Sequence, residues 1–333
     1  MKEINNPLFS PISFSIVTPV YNCGEQTEEL LESLTRQTCQ NFEIILIEDG
    51  KGDSYEIAEK YKNLLNLQYY YLKGSGVSHR RNYGISKARS SFYLFFDSDC
   101  IIPEDYFQKL TRQYESVHFD AFGGKDAAMK NFTPFQQAVN YAMTSFLTTG
   151  GIRGSKKKID KFYPRSFNMG FSKQVFEKTG GFPEDITPPG EDMILSIRIY
   201  EKGFKVQTCP DMFVYHKRKT SFKRFFRQIY SFAYVRLKIS FMYPNTFKLF
   251  YLLPVFFTLY CLLAVVFAPI ISTLLFFPLF LYILLVLTDA WIKTKSLKIA
   301  LLSVGTSFTQ FWAYGSGFFI SLCKKLTSSN SKK

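Results

Sequence analysis

Two carboxylates one residue apart, Asp97 and Asp99, end the apolar aromatic run Phe92-Tyr93-Leu94-Phe95-Phe96. Such a run reads as a buried strand that delivers both acids to the rim of a sheet. In an extended backbone, residues i and i+2 point the same way, so the pair suits a hard divalent cation, Mg²⁺ or Mn²⁺, shared with substrate phosphates. Taken alone, the tripeptide fits a solvated turn equally well. Two further acidic pairs bear on the choice. Glu48-Asp49 follows the apolar run 42–47, and Glu191-Asp192 opens a helical stretch after Pro188-Pro189-Gly190. Acids at a helix N-terminus are electrostatically comfortable as caps, and the same position suits a general base facing an acceptor hydroxyl.

The elements that must position these acids follow an α/β pattern. Residues 14–20 form a β-branched run closed by a proline, Tyr21 to Glu25 read as a loop, and Leu30, Leu31 and Leu34 share one face of the helix that follows. Strand, helix, strand in this order predicts parallel pairing with a right-handed crossover, and ligands bind at the carboxyl ends of such strands. A helix over about 53–64, a strand over 67–71 and a helix from Ser78 to before Ser90 repeat the unit. Three strand ends, carrying Pro19/Tyr21, Glu48/Asp49 and Asp97/Asp99, thereby converge, and this favours the metal reading over the turn.

The remaining part of the α/β region is read less regularly. A strand at 121–124, helices at 173–179 and 193–202, a strand at 205–208 and a closing segment 213–216 are expected. The glycine-rich basic stretch from Gly150 to Lys158 fits either a mobile loop over an anionic ligand or a solvated surface loop.

Composition places the rest. Lys and Arg exceed Asp and Glu by 41 − 27 = 14, a surplus that fits nucleic acid, anionic lipid or phosphorylated substrates. Its placement selects lipid over nucleic acid. Residues 217–238 carry Lys217, Arg218, Lys219, Lys223, Arg224, Arg227, Arg236 and Lys238 with no acid, immediately before an apolar region, the pattern of a cytoplasmic juxtamembrane segment. Residues 249–269 and 270–288 are each long enough to span a bilayer, and a hairpin with both ends in the cytoplasm satisfies the positive-inside bias. Segment 300–322 carries a polar stripe of Ser303, Thr306, Ser307 and Gln310 and is expected to lie in-plane or re-entrant. The six cysteines show no paired or metal-like spacing and read as reduced thiols. The first residues lack an apolar signal segment. The expected organisation is a tail (1–12), an α/β domain (13–216), basic amphipathic helices (217–246), a membrane region (247–323) and a basic tail (324–333). The expected location is the inner or plasma membrane, multi-pass, with the α/β domain in the cytoplasm.

In their order along the chain, Thr18-Pro19-Val20-Tyr21-Asn22, Glu48-Asp49-Gly50, Arg81-Asn82-Tyr83-Gly84, Asp97-Ser98-Asp99, Asn168-Met169-Gly170, Gly180-Gly181-Phe182 and Glu191-Asp192 resemble the family 2 glycosyltransferases. The resemblance runs from about residue 14 to 234. It implies the GT-A fold, a Rossmann-like, mixed but mainly parallel sheet flanked by helices, here followed by a helical membrane region. It also implies an inverting transfer from a nucleoside-diphosphate sugar, UDP favoured, to a hydroxyl of a lipid-linked or surface glycan, with Mn²⁺ or Mg²⁺ as cofactor. By position, Pro19 and Tyr21 would flank the base, Asp49 would bond base or ribose, and Arg81 would contact the nucleotide. Asp97 would sit by ribose and metal, Asp99 would bind the metal, and His216 matches a position that sometimes completes its shell. Asp192 would act as base with Glu191 in support. Lys51 and Glu48 depart from the usual residues, which touches base contacts and not the fold. A polyprenyl-phosphate sugar transferase is the alternative enzyme. A non-catalytic nucleotide-binding membrane scaffold is the alternative from another class, and it leaves Asp97, Asp99 and Asp192 without a purpose.

Overall fold

The computed structural model describes residues 14–129, 132–150, 162–186 and 189–330. The terminal tail 1–12, the basic stretch 151–158 and the last three residues lie outside the described residues. In chain order the first elements are β1 (Phe14–Tyr21), α1 (Gly24–Thr35), β2 (Phe42–Asp49), α2 (Tyr55–Tyr61), β3 (Leu67–Tyr71), α3 (Val77–Lys87), β4 (Phe92–Phe95), β5 (Cys100–Ile101) and α4 (Tyr106–Ser116). Next come β6 (Ala121–Ala127), α5 (Pro134–Thr144), α6 (Phe146–Thr149), β7 (Met169–Ser172), α7 (Lys173–Thr179), α8 (Glu191–Glu201) and β8 (Val206–His216). The chain closes with α9 (Phe222–Met242), α10 (Leu253–Phe267), α11 (Phe277–Thr294) and α12 (Leu297–Asn330).

Two compact units result: Met1–Ala127 with Phe162–His216, and Ala128–Lys161 with Lys217–Lys333. In the first, eight strands among the described residues form one sheet in the order β3-β2-β1-β4-β7-β6-β8-β5. β3, β2, β1 and β4 run parallel, β7 reverses against β4, and β6 pairs parallel with β8. The mixed, mainly parallel sheet expected from sequence is therefore present. Alternation along the strands supplies two apolar faces. Ile16 and Val20 of β1 enter a core with Leu30, Leu31 and Leu34 of α1, whereas Val17 faces the other core with Ile85 of α3. The two segments expected at 205–208 and 213–216 form one strand, β8, with an irregularity opposite Gly123 to Lys125. A bulge of this kind disguises a continuous strand in the sequence pattern.

The second unit is helical. α5 starts at a capping box in which Thr133 and Gln136 satisfy each other's backbone amides. Its apolar face, Val139, Ala142 and Met143, packs with Phe225, Ile229 and Ala313. For that reason residues 128–161 group with the helical unit instead of sharing the α/β unit with the rest of 13–216. The basic region 217–246 is built on a single long helix, α9, which buries Phe225, Ile229, Ala233 and Leu237.

Among the described residues, two helical stretches are long and apolar enough to cross a membrane, Leu249–Phe267 and Thr273–Thr294. The second begins three residues later than expected and runs on past Asp289, whose carboxylate is tied to Lys293 and to Tyr141 at 2.8 and 2.6 Å. The segment expected over 300–322 belongs to one unbroken helix of 34 residues, α12, which is not a re-entrant loop. Its polar stripe is buried: Ser303, Thr306, Ser307 and Gln310 are all enclosed, and Thr306 donates to the Ala138 carbonyl of α5 at 3.0 Å. Hydroxyls bonded to helix carbonyls can face a neighbouring helix without an unmet donor.

Candidate active site

Strand register brings the first group of candidates together. Tyr21 and Asp49 are direct partners across β1 and β2, at the carboxyl ends of both strands. Asp49 is buried, and one oxygen accepts the Gly74 amide at 2.8 Å. Asn22, in the left-handed region with φ 50°, turns its side-chain oxygen to the Lys51 amide at 2.9 Å. Gly50 makes this turn possible: its φ is +111°, and a Cβ there would lie 2.4 Å from the Asn22 oxygen. Tyr21 stays 59% exposed, and Pro19 is half-buried. A flat, open aromatic ring beside a buried acceptor suits a nucleobase.

Glu48, next to Asp49, is fully buried and faces inward. It accepts from Tyr69 Oη at 2.7 Å and from the Ser54 amide at 3.1 Å. Burial, with the neighbouring Asp53, raises its pKa. Its role is to hold the loop after β2, which explains why an acid larger than Asp fits there.

β4 ends at Phe95, and Asp97 to Asp99 form the turn into β5. Cys100 of β5 pairs with His216 of β8, and this sets His216 Nε2 3.0 Å from an Asp99 oxygen. The ligand atoms of Asp99, Cys100 and His216 lie within 4.8 Å of one another. Cys100 is buried, and burial pushes its thiol well above the usual range; sulfur is in any case a soft donor that suits hard Mn²⁺ or Mg²⁺ poorly. Asp99 and His216 offer one carboxylate and one imidazole, a mixed oxygen and nitrogen pair that fits Mn²⁺, and Mg²⁺ less closely; Asp97, expected in the same shell, is not part of this group and is engaged by Arg81 at 3.1 Å. Phe167 stacks on the His216 ring at 5.1 Å and fixes its plane. Cys23 Sγ lies 3.0 Å from Ser98 Oγ and ties the loop after β1 to this turn.

The base-side acids stand at the start of α8, after Gly190 at φ 129°. Both are buried. Glu191 is turned to a cation: its Oε1 is 2.8 Å from Arg81 Nη1. Arg81 Nη2 reaches Asp97 at 3.1 Å and Ser166 Oγ at 2.8 Å. Burial alone would lower the Arg81 pKa, and the charges of Glu191 and Asp97 more than reverse it, so the guanidinium keeps its proton. Arg81, read from sequence as a nucleotide contact, bridges Asp97 in the turn after β4 and Glu191 at the start of α8. Asp192 is held on both oxygens: Oδ1 accepts the Met193 amide at 2.7 Å, and Oδ2 lies 3.3 Å from the Ser166 amide and 3.4 Å from Arg165 Nε.

Arg165, Ser166 and Arg80 were missed by the sequence reading. Arg80 is buried and donates through Nη1 to the Val20 carbonyl. Its adjacency to Arg81 was visible, but only Arg81 belongs to the Arg-Asn-Tyr-Gly motif, so nothing in the local pattern marked Arg80. Asn168 proves structural, accepting from Tyr106 Oη at 2.5 Å and donating to the Lys125 and Met212 carbonyls.

Comparison with known proteins agrees with this architecture. The sequence model of "Glycosyl transferase family 2" matches residues 15–180. An uncharacterized glycosyltransferase of Bacillus subtilis, EpsJ, is 28% identical over 215 residues, 62% of each chain. The chain thus spans less than two thirds of that relative's length. The O-antigen chain rhamnosyltransferase RfbN of Salmonella typhimurium is 25% identical over 65% of this chain and 71% of its own. Among solved structures, the mannosyltransferase PcManGT from Pyrobaculum calidifontis, in complex with GDP-Man and Mn²⁺, covers 96% of this chain and 88% of its own with a TM-score of 0.55 at 16% identity, a likeness of fold. With its matched segment running from β1 through the turn after α7, the chain belongs to glycosyl transferase family 2.

Proposed function

We propose that the protein is a membrane-anchored, inverting glycosyltransferase that moves a sugar from a nucleoside diphosphate, UDP favoured, to a hydroxyl of a lipid-linked or surface glycan. The observation that carries this reading is the Arg81 strut. One buried guanidinium holds Asp97 and Glu191 at 3.1 and 2.8 Å, so the donor-side turn and the start of α8, with Asp192, are fixed against each other. Group transfer requires this kind of fixed distance between the leaving group and the base. Relatives named as glycosyltransferases, one of them acting on O-antigen chains, support the acceptor class.

In this reading Tyr21 stacks on the base and Asp49 accepts from it. Asp99 and His216 would hold Mn²⁺ or Mg²⁺, which when bound supplies Lewis-acid neutralisation of the departing diphosphate. Asp192 takes the acceptor hydroxyl proton as that oxygen attacks the anomeric carbon from the face opposite the leaving group, which inverts the centre. Glu191 supports Asp192 indirectly, by holding Arg81. In the same reading the apolar helices α10 and α11 would anchor the chain, and the basic surplus at 217–238 supports a catalytic unit on the cytoplasmic side.

A panel of nucleotide sugars with purified full-length protein, with Mn²⁺, Mg²⁺ or chelator, tests the proposal. One donor is expected to be hydrolysed or transferred in a metal-dependent way. Asp192→Asn is expected to lower transfer about 10²- to 10⁴-fold, the range of a general base, while donor affinity is kept. No metal-dependent donor binding at all would sink the transferase reading. Full activity in Asp192→Asn would remove only the base assignment.

A further inference from the structure

We infer that Arg80 is a positioning residue for the nucleobase, a rigid cationic backing that presets the Tyr21 ring and the end of β1 before donor binds. The inference rests on the nucleotide-binding reading and concerns a residue outside the motifs that carry it. Arg80 lies in the first turn of α3 with 7% of its surface exposed. Its Nη1 bonds the carbonyl of Val20, the residue before Tyr21, and its guanidinium carbon sits over the Tyr21 ring, 5.9 Å from the centroid.

The guanidinium therefore grips both the backbone and the ring of the strand end that meets the base. A planar fork can bond a carbonyl and lie over an aromatic face at once, which an ammonium cannot do in the same pose. With one face of the ring covered, and the residue still 59% exposed, a face remains for stacking. A ring free to rotate would have to be ordered at each binding event, and backing it removes that cost in advance.

The cost of this arrangement is visible in the same residue. Burial lowers the Arg80 pKa, opposed chiefly by the charge of Asp49. Among the described residues Arg80 forms no ion pair, and its buried Nε has no hydrogen-bond partner. A buried cation with an unmet donor is costly when no bound group answers it. Its place over Tyr21 and within the field of Asp49, the residues assigned to the base, gives that cost a purpose. A structural arginine serving only the core would be expected to have its donors met.

Calorimetry on the full-length protein tests this with three probes: uridine, UDP with Mn²⁺, and pyrophosphate with Mn²⁺. Arg80→Met is expected to weaken uridine and UDP alike by about five- to tenfold, the size of a desolvated cation–π contact, and to leave pyrophosphate unchanged. In kinetics the donor KM should rise more than kcat falls. Arg80→Lys should not rescue, and Arg80→Met in a Tyr21→Ala background should add little, because Arg80 acts through that ring. If Arg80→Met proves unfolded by thermal shift, Arg80→Gln, which keeps a donor for the Val20 carbonyl, carries the same expectation. Unchanged uridine binding in a folded Arg80 variant, or equal weakening of pyrophosphate, overturns the inference. Failure of the wild type to bind any nucleotide while binding pyrophosphate with Mn²⁺ overturns the nucleotide reading itself.

Discussion

At the scale of single residues, two of the buried charges, Arg81 and Glu43, serve different ends. Arg81 joins the turn after β4 to the start of α8. Glu43, 5% exposed on β2, joins loops at the other end of the sheet. Its carboxylate accepts from Ser15 Oγ at 2.5 Å, from the Arg89 amide at 2.6 Å and from Arg89 Nε at 2.7 Å. Burial alone would raise the Glu43 pKa, and these bonds outweigh it and hold the carboxyl below its ordinary value. The unfolded chain then takes up the proton first as pH falls. Stability from Glu43 is therefore fully present above the ordinary glutamate pKa of about 4.3 and is lost as pH drops through the lower folded value. Thermal unfolding in detergent between pH 6 and pH 3 should show a steeper loss in wild type than in Glu43→Gln. Parallel slopes would mean that Glu43 contributes nothing to acid sensitivity.

At the scale of elements, α3 decides the geometry of the donor side, because it carries Arg80 and Arg81 together. It lies against β1 and β2 at Gly84, where a Cβ would come within 2.4 Å of Val17 Cγ1 and 2.6 Å of Ile47 Cδ1. Both neighbours are fully buried and have little room to yield. Gly84→Ala should cost about 1–3 kcal/mol by overpacking and, by lifting α3, raise the donor KM. Unfolding and kinetics of one preparation check both effects, and an unchanged KM in a destabilised protein would mean the helix tolerates the shift.

The same element marks what sequence could and could not reveal. Apolar runs ending in Tyr21, Asp49 and Asp97 are local signals, and the strands and their convergence were legible from them. Glycine at 84 was legible only as part of a motif. The pairing of Cys100 with His216 depends on a two-residue strand meeting a distant one, and no local periodicity announces that. Arg165 and Ser166 reach Asp192 and Arg81 from a loop, and Glu191 reads as a helix-start acid whether it faces solvent or a buried guanidinium. The assignment of 128–161 to the helical unit was hidden for a related reason: an amphipathic helix shows which face is apolar, not which partner covers it.

At the scale of the whole molecule, the distribution of charge and apolar surface argues for a hairpin through a bilayer. The two apolar stretches have 19 and 22 residues, about 28 and 33 Å at 1.5 Å per residue, against a hydrocarbon core of about 30 Å. The connection between them, 268–272, has no charge, whereas Lys293, Lys295 and Lys298 follow the second and eight basic residues lie within 217–238 before the first. Carrying those cations across would oppose the positive-inside bias, so both ends of the hairpin should stay with the catalytic unit in the cytoplasm. In a cysteine-free background, single cysteines at Ser272, Lys298 and Thr327 give a direct check with an impermeant thiol reagent on intact and on opened cells. Ser272→Cys should react from outside, whereas Lys298→Cys and Thr327→Cys should react only after opening, the latter because α12 stays on the cytoplasmic side. Labelling of all three from one side would mean that the hairpin lies in the interface without crossing. Labelling of Thr327→Cys from outside would make α12 a third span, and its buried stripe of Ser303, Thr306, Ser307 and Gln310 would then be the polar seam that lets a helix of this composition pass through lipid.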